Sequence, residues 1–120
     1  MGSFRESFEA YGADYQTTMG RFMGNEKMYL RILDMLFEDE NLNKLGYALE
    51  SEDMTGAFEA AHTLKGVVGN LGLTPLYEAL CAIVEPLRFG RVCNYAAMYQ
   101  DIQSEFGKVD ILREHLKGGD

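Results

Sequence analysis

His62, Lys65, Gly66 and Gly69 are the residues of this 120-residue chain whose types and spacing could do chemistry. An α-helix advances the side-chain direction by about 100° per residue. Taking His62 as reference, Lys65 projects about 60° to one side, Gly66 about 40° to the other, and Gly69 only about 20° away. Ala57, Ala60, Leu64, Val67, Val68 and Leu71 gather around the opposite pole. An imidazole is therefore expected on the polar face of a helix, beside an ammonium and over two residues without side chains. Each interior glycine costs a helix about 1 kcal/mol relative to alanine, so the pattern is a poor route to stability. It suits the close approach of another macromolecule to the histidine.

The surroundings narrow what that imidazole can do. A hydroxyl or thiol nucleophile needs a base and an orienting acid. The chain has no Gly-x-Ser-x-Gly run, and the sequence sets no histidine beside Cys81 or Cys93. Zinc takes three or four ligands, whereas Glu59 is the one candidate carboxylate three residues before His62. The neighbouring glycines lie inside a predicted helix, not in a phosphate-cradling loop. What remains is the imidazole as a nucleophile in its own right. Imidazole, with a reference pKa of about 6.5, is mostly neutral near pH 7 and has a lone pair to offer. Attack on a phosphoryl group gives an N-phosphorylated histidine, and onward transfer depends on alignment and on compensating the oxygen charges.

Lys65 is placed to give those oxygens a charge-assisted contact, Gly66 and Gly69 to leave clearance, and Asn70 to add a hydrogen bond or sit in solvent. Phe58 puts an apolar ring about 40° from His62 on the polar face. It is expected either to pack under the N-terminal segment or to join an apolar docking surface. Thr55 and Glu59 share that face as rim residues. His115 falls in the last helical turn and reads as a solvated complement to the helix dipole.

The elements that must hold these residues are all helical. Short segments are predicted at Phe4 to Tyr11 and, after Gly12-Ala13, from an Asp14 cap through Tyr15, Met19 and Phe22. Asn25 caps the next, which runs from Glu26 to about Leu49 as one long helix or two pieces interrupted near Glu38-Asp39-Glu40, a solvated face or turn. Ser51-Glu52-Asp53 is a tight connection to an antiparallel neighbour, the His62 helix, from about Met54 to Leu71. Gly72 ends that helix. Thr74 as cap and Pro75 as first helical residue open another, in which Pro86 should loosen the backbone and Gly90 closes. The last helix has Asn94 as cap, a buried stripe of Tyr95, Met98, Ile102, Phe106, Val109, Leu112 and Leu116, and Gly118-Gly119 as the stop. Cys81 and most of the seven methionines read as core filler.

Four principal amphipathic helices with short connections predict an all-α, antiparallel up-down-up-down four-helix bundle, preceded by one or two short N-terminal helices. A single domain over residues 1–120 fits the length. The net charge of −8 argues against nucleic acid and against an anionic membrane as partner. No stretch approaches the ~20 apolar residues of a membrane span, and the N-terminal residues lack a signal-peptide core, so a cytoplasmic location is expected; a monomer is a separate expectation.

The run His62-Thr63-Leu64-Lys65-Gly66, with Gly69, Asn70, Leu71 and Gly72 following, resembles the signature of histidine-containing phosphotransfer (HPt) domains. The likeness extends to Phe22-Met23-Gly24-Asn25-Glu26, to Leu45 through Asp53, and to Leu76, Leu80 and Glu85, covering about residues 15–117. Pro86 departs from the usual continuous helix of the family. The resemblance implies a bundle whose exposed histidine relays phosphoryl groups between aspartates of response-regulator receiver domains, or exchanges them with a hybrid sensor histidine kinase. On that reading His62 is the phosphorylated residue and Lys65 the stabilising cation. Thr55, Phe58, Glu59, Gly66, Gly69 and Asn70 would meet the partner. The chain would need no cofactor, the magnesium ion belonging to the receiver, and would have no autokinase activity. A second expectation is a bundle of the same shape that docks on receivers without carrying phosphate. A third, a metal- or nucleophile-dependent enzyme, lacks the ligand set.

Overall fold

The computed structural model describes residues 3–118, which form seven helices and no strand: α1 (Phe4–Tyr11), α2 (Tyr15–Arg21), α3 (Glu26–Leu36), α4 (Asn41–Glu50), α5 (Met54–Asn70), α6 (Thr74–Arg88) and α7 (Tyr95–Leu116). Helix α4 packs on α5, α5 on α6 and α6 on α7, and α7 touches α4 to close the ring. The α4–α5 and α5–α6 connections are three residues each. Packed neighbours joined that tightly have to run antiparallel. This is the all-α bundle that the periodicity predicts.

Local chemistry starts most of these helices. Ser3 and Glu6 form a capping box on α1. The side chains of Asp14, Asn25, Asp53 and Asn94 accept backbone N–H groups at the starts of α2, α3, α5 and α7. The α6 start differs from the expectation: Leu73 is the N-cap residue, without a side-chain bond, and Thr74 and Pro75 are its first two helical residues. Leu73 is fully buried, so its packing fixes the entry that a hydroxyl was expected to fix.

The segment from Glu26 to Glu50 is two helices. The break is held by Asp39, whose Oδ1 accepts both the backbone N–H (2.7 Å) and the side-chain amide (2.8 Å) of Asn41. Helix α6 continues through buried Pro86 to Arg88. It closes just beyond, where Gly90 takes φ of 63° and the Arg91 N–H reaches the Pro86 carbonyl at 2.9 Å.

The core runs the length of the bundle. Leu45, Ala57, Leu64, Val68, Leu76, Leu80, Ile83, Ile102 and Val109 are buried in it. The α7 stripe behaves as its spacing predicts from Ile102 to Leu116, with Tyr95 and Met98 half-buried at its start. Gly119 lies outside the described residues. Phe8 and Phe22 stand edge-on to Tyr29, at 5.4 and 5.1 Å between centroids, tying α1 and the end of α2 to α3.

Two expectations about filler are corrected. Of the described methionines only Met19 is buried, whereas Met28 and Met35 are exposed on α3 and Met23 is exposed in the turn between α2 and α3. Cys81 is half-buried, one turn beyond Tyr77 at the edge of α6.

Candidate functional site

Helix α5 carries the site, and its two ends are fixed differently. At its start Asp53 Oδ1 accepts the Gly56 N–H at 3.0 Å. Its end leaves carbonyls without helical partners, and these are taken by side chains of earlier helices. Arg21 Nη1 donates to the Gly69 and Asn70 carbonyls, each at 3.1 Å. The buried Tyr29 hydroxyl donates to the Leu71 carbonyl at 2.6 Å, and burial pushes its pKa well above the usual tyrosine range. Gly72 then turns the chain with φ of 68°, directly over the Thr18 side chain, which occupies the space a Cβ would need. Sequence reasoning anticipated Gly72 as a terminator; it did not find Arg21, Tyr29 or Thr18.

Along α5 the buried stripe is Ala57, Ala60, Ala61, Leu64 and Val68. Val67, expected among them, is half-buried and faces Ile32 and Met35 of α3 across an open groove. His62 is exposed on the opposite side. Lys65 is half-buried one turn on, and its ammonium has no carboxylate within 4 Å among the described residues.

His62, Lys65, Gly66, Gly69 and Asn70 line one shallow open depression together with Tyr77 of α6. The two glycines in it are unlike. A Cβ at Gly66 would meet nothing within 4 Å, so bare backbone faces solvent there. A Cβ at Gly69 would lie 2.9 Å from Tyr77 Cε1 and 3.1 Å from its Cδ1. The clearance expected for a partner at Gly69 is therefore taken by the chain's own Tyr77 ring, which forms one wall of the depression. Asn70 is exposed, with its carbonyl committed to Arg21.

The remaining sequence-derived residues do not line this depression. Phe58 packs against the edge of the core on the histidine side of α5. Half-buried, it stacks on the His62 imidazole, with centroids 5.4 Å apart and planes 27° from parallel, and the Arg88 guanidinium of α6 lies 5.2 Å from the Phe58 centroid. Thr55 is exposed a turn earlier, outside the depression. Glu59 turns away from it, toward a groove between α4 and α5 shared with Lys44, Tyr47 and Thr63. His115 is exposed in the last turn of α7, far along the sequence from the α5 face.

No hydrogen bond from a described residue reaches the His62 ring, and no group of three or more His, Cys, Asp and Glu side chains able to share a metal occurs among the described residues. Among the described residues no helix is long and apolar enough to cross a membrane. The arrangement can therefore present one imidazole to an incoming electrophile, with a cation beside it and no base from the described residues behind it.

The family model described as Hpt domain aligns with residues 31–105, from within α3 to the middle of α7, a narrower stretch than the resemblance suggests. No curated protein and no solved structure matches the chain significantly.

Proposed function

The chain belongs to the Hpt domain family, and from that premise we propose that His62 is the residue through which it carries phosphoryl groups in a two-component phosphorelay. The observation that carries this reading is the exposed imidazole with Lys65 beside it and bare Gly66 backbone next to both. The donor is an aspartyl phosphate on a receiver domain. The lone pair of a ring nitrogen forms the N–P bond as the O–P bond of the acyl phosphate breaks, and the carboxylate leaves on the donor. The proton on the other ring nitrogen stays where it is. A second receiver aspartate reverses these events and takes the group onward.

Lys65 contributes by meeting equatorial oxygens as charge redistributes over them. The reading asks for no cofactor on this chain; the divalent ion that assists the aspartate belongs to the receiver. It also asks for no nucleotide, so the chain is a phosphocarrier without autokinase activity, acting between receivers or with a hybrid sensor kinase.

The test is transfer from a phosphorylated receiver domain. Label should appear on the chain in acid-labile, alkali-stable form and should vanish in His62→Gln. Label that persists in this variant moves the site elsewhere, and a wild-type chain that binds receivers without accepting label is the docking-only module instead.

A further inference from the structure

The His62 ring is exposed, and nothing hydrogen-bonds to it from the described residues, so the usual means of orienting a working histidine is missing. The χ2 torsion of a histidine is broad and leaves the ring free to turn unless something packs on its face. One group does. Phe58 lies four residues earlier on α5, where helical side chains lean toward the N-terminus and residues four apart meet. Its ring is nearly parallel to the imidazole at 5.4 Å, inside the range of favourable aromatic pairs. Phe58 is held in turn from α6 by Arg88, whose guanidinium lies 5.2 Å from its centroid. Arg88 is anchored by Glu85 at 3.6 Å.

We infer that Phe58 is a positioning residue for His62: its ring, clamped by Arg88, keeps the imidazole plane fixed so that a ring nitrogen points at the incoming phosphorus. This deepens the transfer reading above and rests on it. A docking residue would act differently, through affinity for the receiver alone. A positioning residue acts on the step inside the complex, since a misaligned nucleophile loses rate even when binding is intact.

Phe58→Leu keeps an apolar side chain against the core and removes the ring, and Phe58→Tyr keeps the ring. Two readouts decide. In NMR spectra of the full chain, the His62 ring protons should show an aromatic ring-current shift that His115 lacks. The shift should be lost in F58L and kept in F58Y. In transfer from a phosphorylated receiver, F58L should lower kcat about tenfold or more with KM little changed, F58Y should restore it, and Arg88→Ala should give a smaller loss in the same direction. A raised KM at unchanged kcat would make Phe58 a docking residue and overturn the inference, as would unchanged kinetics. A wild-type chain that takes no phosphoryl group overturns the transfer reading itself. Identical His62 ring-proton shifts in wild type and F58L overturn the positioning inference independently of any transfer.

Discussion

The Tyr77 ring of α6 occupies the place where a side chain at Gly69 of α5 would begin, 2.9 Å from an added Cβ. Gly66, one turn earlier on the same face, faces nothing. The two glycines therefore answer differently to the same substitution. Gly66→Ala gains helix propensity with no clash and should raise stability by up to about 1 kcal/mol. Gly69→Ala gains the same propensity but has to displace an aromatic ring, and overpacking costs about 1–3 kcal/mol; it should come out neutral to destabilising. Tyr77→Ala in the G69A background should recover part of that loss. Urea unfolding of the four chains checks this, and equal responses of G66A and G69A would show that the Tyr77 contact carries no energy.

The end of α5 depends on side chains of α2 and α3, the exposed Arg21 and the buried Tyr29. Tyr29→Phe removes the 2.6 Å bond to the Leu71 carbonyl and leaves that oxygen buried without its partner, at a cost of about 1–3 kcal/mol. Arg21→Ala, at an exposed position, should cost less than about 1 kcal/mol. Hydrogen exchange gives the sharper check. Amides near Val68 to Leu71 should lose protection in Y29F before those in the middle of α7. Uniform loss across both helices would mean that Tyr29 supports the whole bundle and not the end of the site helix.

How much of this was readable beforehand follows from range. The α5 and α7 stripes and the Asp14, Asn25 and Asn94 caps are written within a turn or two of themselves, and periodicity and cap chemistry recover them. The exposed His62 with Lys65 beside it is of the same kind. What sequence did not show depends on the phase of one helix against another. That α6 turns Tyr77 into Gly69 and Arg88 onto Phe58 is set by packing between residues 8 and 30 positions apart. The exposed methionines of α3 were misread for the same reason, because helical spacing marks a face as apolar without saying whether anything covers it. The Asp39 bond that splits α3 from α4 was local, but an Asp in an acidic run carries no distinguishing mark.

Acid sensitivity has a specific source at the far end of α3. Asp34 accepts from Lys117 Nζ at 2.9 Å and Arg113 Nη1 at 3.1 Å. The Lys117 hydrogen bond first, then the Lys117 charge and the Arg113 contacts, hold its carboxyl below the ordinary carboxylate range. A depressed folded-state pKa contributes stability that is complete above the unfolded value, about 3.9, and is lost as pH falls through the folded one. Asp34 is 39% exposed, and solvent screening keeps the contribution to about 1 kcal/mol or less. Asp34→Asn should therefore be slightly less stable than wild type at pH 7, and the gap should close as pH drops below about 4. A constant gap across that window would remove Asp34 as the titrating group.

Lys65 separates the carrier from the docking module most directly. Lys65 is half-buried beside His62, and its ammonium has no carboxylate of the described residues within 4 Å to neutralise it. Its loss should thus leave folding nearly untouched, with Tm shifted by no more than a few degrees. A charge-assisted contact to the phosphoryl oxygens is worth about 1.5–3 kcal/mol, so Lys65→Ala should slow transfer about ten- to a hundredfold. Lys65→Arg keeps the charge in a different geometry and should recover part of that loss. If the cation instead serves only to attract an acidic receiver surface, K65A will weaken binding in a salt-dependent way while transfer within the saturated complex proceeds at the wild-type rate. Rapid-quench transfer at saturating receiver, run at two ionic strengths, tells the two apart. A wild-type rate under saturation would leave His62 without its assigned electrostatic partner.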